Sequence, residues 1–253
     1  QYSQILKSLI SRENKVKLVA FILSNNSYEK INYSVSKIPE IIDDFFISED
    51  SNDKNILEIV KKNNYKLIYN NNISGYGSNV KNSLKHAFDH LNADFAIEVH
   101  GDNAQFDPAA TYDALKFLQS NYDFVSGSRF LKFKENMKNG YPLERMVPNF
   151  FISNIERIIL KIPLSDFHQG FKIYSKNFYS KMDLDTMSDD FLFNFESILL
   201  AKQQNLKIAE VPVLANYKLD HTSHKLFGKN SAFSYQIKTF KLIYQFIKNG
   251  KIF

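Results

Sequence analysis

Four short polar stretches, each following an apolar run, gather most of the residues that could do chemistry. They are Ser24-Asn25-Asn26, Glu49-Asp50-Ser51-Asn52-Asp53, Gly75-Tyr76-Gly77 and His100-Gly101-Asp102-Asn103-Ala104-Gln105-Phe106-Asp107-Pro108. A carboxylate such as Asp102 offers the hard oxygen that a small divalent cation prefers. Glycines 75 and 77 lack the side chain that would keep backbone away from a phosphate. Further on, the planar and permanently charged guanidinium of Arg129 suits a two-pronged phosphate contact. Each feature has an ordinary reading beside it. Asp53 can cap a helix, Gly-x-Gly can be a turn, His100 can be a hydrogen-bonded strand-end histidine, and Arg129 can pair with a surface carboxylate.

The elements that must position these residues alternate in type. Val16–Leu23 is a continuous apolar run suited to a strand buried on both faces, and Tyr28–Ile38 can form a helix that Pro39 interrupts. Asp43–Ser48, Tyr65–Tyr69, Asp94–Val99 and Tyr122–Ser126 are further strand candidates. Between them, Ile56, Ile59 and Val60 form an apolar stripe, Val80, Leu84, Ala87 and Leu91 lie on one face of a helix over Asn79–Leu91, and Pro108 stands where another helix begins. This rhythm predicts parallel βαβ units, in which ligands collect at the carboxyl ends of the strands, where the polar stretches fall.

Taken in order, the stretches resemble glycosyltransferase family 2, particularly the branch around dolichyl-phosphate mannose synthase and related polyprenyl-phosphate transferases. The resemblance runs from about Lys15 to Tyr217. It implies an α/β fold, the single-domain, Rossmann-like glycosyltransferase A-type fold, with a mostly parallel central sheet flanked by helices. Within the family pattern, Asn26 matches the Asn of Pro-x-x-Asn-Glu, and Glu49-Asp50-Ser51-Asn52-Asp53 stands where an acidic side chain meets the nucleobase. Gly75 and Gly77 match a Gly-x-Gly ahead of a helix. His100-Gly101-Asp102 replaces Asp-x-Asp, which makes Asp102 the first ligand for Mg2+ or Mn2+ and His100 a second candidate. The nucleotide-sugar site implied is therefore Ser24, Asn26, Glu49, Asp50, Gly75, Gly77, Asp102 and Gln105.

The resemblance continues on the acceptor side. Gly127-Ser128-Arg129 reproduces a family tripeptide, and Asp166, Gly170 and Phe171 match Asp-x-x-Thr-Gly-Phe-Arg, with Gln169 and Lys172 as departures. Arg129, Asp166, His168, Gln169 and Lys225 are the implied acceptor or phosphate contacts. Lys225 and His224 lie where the family has a loop closing over the diphosphate, so His224 is a further metal candidate. Asp189 and Asp190 stand where inverting members keep a general base, and both equally suit a helix N-terminus. A lipid phosphate acceptor, being already anionic, would need no base. Lys207–Val213 matches the closing Glu-x-Pro strand.

Composition bounds the rest. With 253 residues, 44% hydrophobic and 23% charged, the chain reads as one soluble catalytic unit and excludes wholesale disorder or a membrane bundle. Absence of cysteine excludes disulfides and thiol chemistry. No run is long and apolar enough to span a bilayer; Gln1 in place of Met fits trimmed ends that held such segments. The expected organisation is an N-terminal helical extension over 1–14, a catalytic domain over 15–220 with its nucleotide-sugar half about 15–130 and acceptor half about 131–220, and a basic loop with an amphipathic helix over 221–253. From His221 to Phe253 there are six lysines and no acid, so the net charge of +5 is a C-terminal property. Phe233, Ile237, Phe240, Tyr244 and Ile247 repeat at helical spacing there. Packing back on the domain is the default, and a peripheral membrane or homo-oligomer contact is the alternative. The expected partners are a nucleoside-diphosphate sugar and a lipid-phosphate or glycan acceptor, with no nucleic acid. The expected location is cytoplasmic, with a peripheral position at the inner face of the plasma membrane as the alternative. Two other classes fit less of the pattern. A sugar-nucleotide-forming nucleotidyltransferase would carry a Gly-rich basic run after the first strand, which Ser24-Asn25-Asn26 lacks; a non-catalytic nucleotide-sugar-binding module would bind without turnover.

Overall fold

The computed structural model describes residues 16–51, 54–70, 75–101, 106–215 and 232–252. In chain order it contains β1 (Leu18–Ser24), α1 (Tyr28–Ser36), β2 (Asp44–Glu49), α2 (Asn55–Asn63), β3 (Leu67–Tyr69) and α3 (Tyr76–Lys85), which runs into a π-helical turn over His86–His90. There follow β4 (Phe95–His100), α4 (Pro108–Gln119), β5 (Phe124–Ser128), a 3-10 turn over Phe130–Lys132, α5 (Phe133–Lys138) and α6 (Leu143–Leu160). The chain closes with β6 (Lys172–Ser175), α7 (Lys176–Tyr179), α8 (Leu192–Gln203), β7 (Ile208–Pro212) and α9 (Ala232–Asn249).

Seven strands form one sheet in the order β3-β2-β1-β4-β6-β5-β7. All neighbours are parallel except β6, which runs antiparallel to both β4 and β5. That reversal positions the site. The carboxyl ends of β1, β2, β4, β5 and β7 lie at one edge, and β6 starts there, so Lys172 joins the edge that holds Ser24, Glu49, His100 and Ser128.

The sheet has a hydrophobic core on each face because strand side chains alternate. Val19, Phe21 and Leu23 of β1 face one core with Val80 and Leu84 of α3 and Phe193, Phe195 and Ile198 of α8. Leu18, Ala20 and Ile22 face the other with Ile31 of α1, Ile56 of α2 and Ala114, Leu115 and Leu118 of α4. This is why β1 reads as an unbroken apolar run, each large side chain contributing roughly 2 kcal/mol of burial. At the start of α4, Asp107 Oδ1 accepts the Ala109 amide at 3.0 Å with Pro108 in the first turn, and its Oδ2 accepts the Leu214 amide at 2.7 Å. One carboxylate thus caps a helix and anchors the end of β7.

Several expected boundaries shift. The stripe of Val80, Leu84 and Ala87 is buried as predicted, but the helix carrying it starts at Tyr76 rather than Asn79, since Gly75 and Gly77 let its first turn sit against a neighbouring loop. The helix whose N-terminus Asp189 and Asp190 suit begins at Leu192, with Asp190 Oδ1 accepting the Leu192 amide at 2.8 Å. The second strand reaches Glu49 and the fourth His100, each one residue beyond the predicted run. Asp53 as a helix cap, the 1–14 extension and the loop over 221–231 lie outside the described residues.

Candidate active site

On the nucleotide side, β1 and β2 end in register with Ser24 opposite Glu49. Both are buried, and Ser24 Oγ and Glu49 Oε2 have no hydrogen-bond partner among the described residues. Glu49 Oε1 accepts the Ser51 amide at 2.8 Å. A buried polar atom left without a partner costs roughly 1–3 kcal/mol, so two adjacent ones at a strand-end edge are a place where a ligand can supply what the fold does not. Asn25 Nδ2 donates to Asp50 Oδ1 at 2.8 Å, and burial pushes the Asp50 carboxyl up against that bond. Asn26 adopts a left-handed backbone, φ 53°, and its amide donates to Ser51 Oγ at 3.3 Å. Ser24, Asn26, Glu49 and Asp50 therefore meet at one pair of strand ends; Asp102, Gln105, His224 and Lys225 lie outside the described residues.

His100 closes β4 beside residues that the sequence does not single out. Its Nε2 lies 3.3 Å from Oε1 of fully buried Glu98, two residues earlier on the same face of the strand. Tyr76 stacks on the imidazole at 6.0 Å between ring centres and on Phe191 at 4.8 Å. The Tyr76 hydroxyl bridges Glu98 and Asn194, and the Tyr174 hydroxyl donates to Glu98 Oε2 at 3.1 Å. Burial first, then the Glu98 charge, pushes both phenols well above their ordinary range, so they stay neutral donors. No sequence-local signal reveals this network, because its members meet only when β4, β6, α3 and α8 assemble. Among the described residues no group of three or more His, Asp or Glu side chains could hold a metal ion.

Gly75 and Gly77 admit backbone, and the backbone they admit is the Ser188–Asp190 loop. A Cβ on Gly75 would stand 2.4 Å from Asp189 O, and one on Gly77 2.3 Å from Ser188 O. The Ser78 amide donates to Asp189 O at 3.2 Å. Buried Glu196 holds the other side of the loop, accepting the Ser188 amide at 2.8 Å and its hydroxyl at 2.6 Å. Lys81 Nζ lies 2.6 Å from Asp189 Oδ1, and this bond holds the Asp189 carboxyl below its ordinary range. Asp190 Oδ2 pairs with Lys238 of α9 at 2.5 Å. Both candidate bases are largely exposed and both face a lysine.

The acceptor-side residues converge, but on one another. Arg129 Nε and Nη2 meet Asp166 Oδ2 and Oδ1 at 2.7 and 2.8 Å, and the guanidinium lies 5.1 Å over the Tyr141 ring. Burial alone would raise the Asp166 carboxyl; the adjacent Arg129 charge and its hydrogen bonds hold it below the ordinary range instead. Glu210 continues the network, accepting the Ser165 amide at 2.7 Å and the Ser165 hydroxyl at 2.8 Å. Gln169 is fully buried and its Oε1 accepts the Phe171 amide. Asp166 and Gln169, expected as acceptor contacts, are thus spent inside the fold. Lys172, also fully buried, donates to Ser126 Oγ at 2.7 Å and Gln169 O at 2.6 Å, and burial lowers its ammonium to about 8. His168 sits between α6 and α9, its Nε2 3.0 Å from Glu156 Oε2 and its Nδ1 3.3 Å from the Tyr235 hydroxyl.

No protein-family model matches the chain. An uncharacterized protein of Methanocaldococcus jannaschii is 32% identical over 128 residues, covering 51% of this chain and 50% of that protein. UDP-N-acetylglucosamine–dolichyl-phosphate N-acetylglucosaminyltransferase of Methanococcus voltae is 28% identical over 145 residues, 56% of each. The chain spans about half the length of these curated relatives. Among solved structures, glucosyl-3-phosphoglycerate synthase of Mycobacterium tuberculosis with Mn2+, UDP and glucosyl-3-phosphoglycerate superposes with a TM-score of 0.63 at 10% identity, covering 93% of this chain and 81% of that one. The same enzyme with Mn2+, UDP-glucose and phosphoglyceric acid gives 0.58 at 12% identity, covering 78% and 69%. The seven-stranded sheet and its flanking helices are the Rossmann-like glycosyltransferase A-type fold.

Proposed function

We propose that this chain is a metal-dependent glycosyltransferase that moves a sugar, with inversion, from a nucleoside-diphosphate sugar to a polyprenyl-phosphate or glycan-precursor acceptor. The observation that carries the reading is the pair of buried, unpartnered atoms, Ser24 Oγ and Glu49 Oε2, side by side at the ends of β1 and β2. They offer a hydroxyl and a carboxylate oxygen to the edge of a base, in a fold whose solved neighbours hold UDP. Residues 15–130 then form the nucleotide-sugar half and 131–220 the acceptor half.

Asp102 would be the first ligand for Mg2+ or Mn2+ and His100 the second, with Glu98 beside the imidazole as an outer carboxylate; a carboxylate next to the ring fits a histidine that binds metal. Bound there, the ion supplies positive charge against the departing diphosphate. Lys225 and His224 would add charge from the following loop. Gly75 and Gly77 hold the Ser188–Asp190 loop against α3, which presents the candidate bases. Asp189 and Asp190 are the candidate bases for a hydroxyl acceptor; each is held by a lysine, Lys81 and Lys238, and Lys81 makes Asp189 a weaker proton acceptor. The same pairing favours an acceptor oxygen that is already anionic, as in a lipid phosphate. Arg129, Asp166 and Gln169 shape the acceptor side as a rigid wall, against which His168 is set.

The test is nucleotide release from a panel of uridine, guanosine and cytidine diphosphate sugars with Mn2+ or Mg2+. Asp102→Asn should lower both turnover and Mn2+-dependent nucleotide binding by at least about tenfold. Release from no donor, with Asp102→Asn binding nucleotide as wild type does, would overturn the reading.

A further inference from the structure

Helix α6 is inside out. Its buried positions are Met146, Ser153, Glu156 and Leu160, so a hydroxyl and a carboxylate point inward. Outward it shows Leu143, Val147, Phe151, Ile155 and Ile158, spaced by four, four, four and three residues along one face, with Phe151 62% and Ile158 75% exposed. A surface helix of a water-facing domain places these the other way round. Glu156 explains the inversion on the inner side, where it meets His168, but nothing among the described residues covers the outer face.

The C-terminal helix repeats the pattern. Helix α9 exposes Phe233, Ile237, Tyr244 and Ile247, and it reaches the same His168 turn through Tyr235, 3.3 Å from Nδ1, and Gln236, 3.4 Å from Nε2. The sequence pattern singles out α9 alone; the burial pattern adds α6. Charge says what the face meets. Arg157, Lys161, Lys241, Lys248 and Lys251 are exposed and residues 232–252 contain no acid; α6 carries two acids, the buried Glu156 and Glu144, exposed in its first turn, so the cations outnumber the exposed acid five to one. A second copy joined face to face through a two-fold axis would set these cations against their own kind. A bilayer of anionic headgroups accepts both the cations and, beneath them, the apolar stripes. Among the described residues no helix is long and apolar enough to cross a membrane, so the helices would lie along the surface.

We propose that α6 and α9 together form a platform that seats the protein on an anionic lipid surface. This stands apart from the transfer reaction, because vesicle binding needs neither donor nor turnover. The test is co-sedimentation of the full chain with vesicles of phosphatidylcholine alone and of phosphatidylcholine with phosphatidylglycerol. Wild type should sediment with the anionic vesicles and release them as salt is raised. Phe151→Glu with Ile158→Glu, and separately Lys241→Glu with Lys248→Glu, should each weaken binding about tenfold or more. All four positions are exposed, so folding should be retained; unchanged circular dichroism and melting confirm it. The proposal is overturned by no sedimentation with anionic vesicles at low salt, by equal binding to both vesicle types, or by a Phe151→Glu/Ile158→Glu protein that binds like wild type. A wild-type dimer that those same substitutions split into monomers would assign the face to a second copy instead.

Discussion

The two halves of the strand-end edge treat their polar atoms in opposite ways. At the ends of β1 and β2, Ser24 Oγ and Glu49 Oε2 are buried and unpartnered. At the ends of β5 and β7, Arg129 and Asp166 are matched to each other, Glu210 to the Ser165 hydroxyl and amide, and Gln169 to the Phe171 amide. The first region carries a cost that a ligand can relieve; the second is closed on itself and serves as a frame. On the proposed reading the difference separates residues that would contact substrate from residues that hold the contact in place, a separation that residue type alone does not make. It also predicts which substitutions lose stability and which lose binding.

The largest effect should come from breaking the frame. Arg129→Ala leaves the fully buried Asp166 without its counter-charge, and unfolding in urea should show a loss of about 3–5 kcal/mol. The pH dependence should show the same pair. Because the folded Asp166 carboxyl is held below its unfolded value of about 3.9, the stability it contributes is complete above that value and is lost as pH falls through the folded one. Asp50, Glu196 and Glu210 are raised and act in the opposite sense, so Arg129→Ala should flatten the acid loss of stability seen in wild type. A wild-type-like acid profile in the variant would break the comparison.

Next in size is Gly77→Ala. The new methyl would meet Ser188 O at 2.3 Å and Asp190 O at 2.8 Å, both backbone atoms that cannot step aside singly. We expect a loss of about 1–3 kcal/mol together with displacement of the loop that carries Asp189 and Asp190, visible as changed amide shifts across residues 187–192. The smallest stability effect, and the sharpest contrast, belongs to Glu49→Gln. With Glu49 Oε2 unpartnered, the amide should leave the melting temperature unchanged or higher. Nucleotide affinity by calorimetry should nevertheless fall by about 1.4 kcal/mol, a factor of ten. A stability loss on the scale of Arg129→Ala would show that Glu49 belongs to the frame.

How much of this was legible depended on whether the cause lay near in sequence. The apolar run of β1, the Val80, Leu84 and Ala87 face and the Pro108 helix start follow from local pattern, because one strand or one helix turn fixes their geometry. So does the order of polar stretches, which placed Ser24, Glu49 and His100 at strand ends. The antiparallel insertion of β6 was not legible: Lys172–Ser175 carries no local mark of direction, and only its pairing with Ile97 and Val125 shows it. Glu98 was hidden in the same way, as one acid in a strand whose partners Tyr76 and Tyr174 lie 22 and 76 positions away in sequence. Glu156 carries no mark in the sequence either, and only burial shows that it lies on the inner face of α6.

What the sequence by itself determined is the set of elements and the edge where their polar ends gather, because hydrophobic periodicity and turn chemistry act over a few residues. What only the tertiary structure decided is the state of each polar atom there. Whether Arg129 meets Asp166 or a ligand, whether glycines 75 and 77 admit a loop, and whether the apolar face of α6 turns in or out all depend on segments tens of residues apart being brought within hydrogen-bond distance, where desolvation makes a matched group part of the frame and an unmatched one a vacancy for a partner.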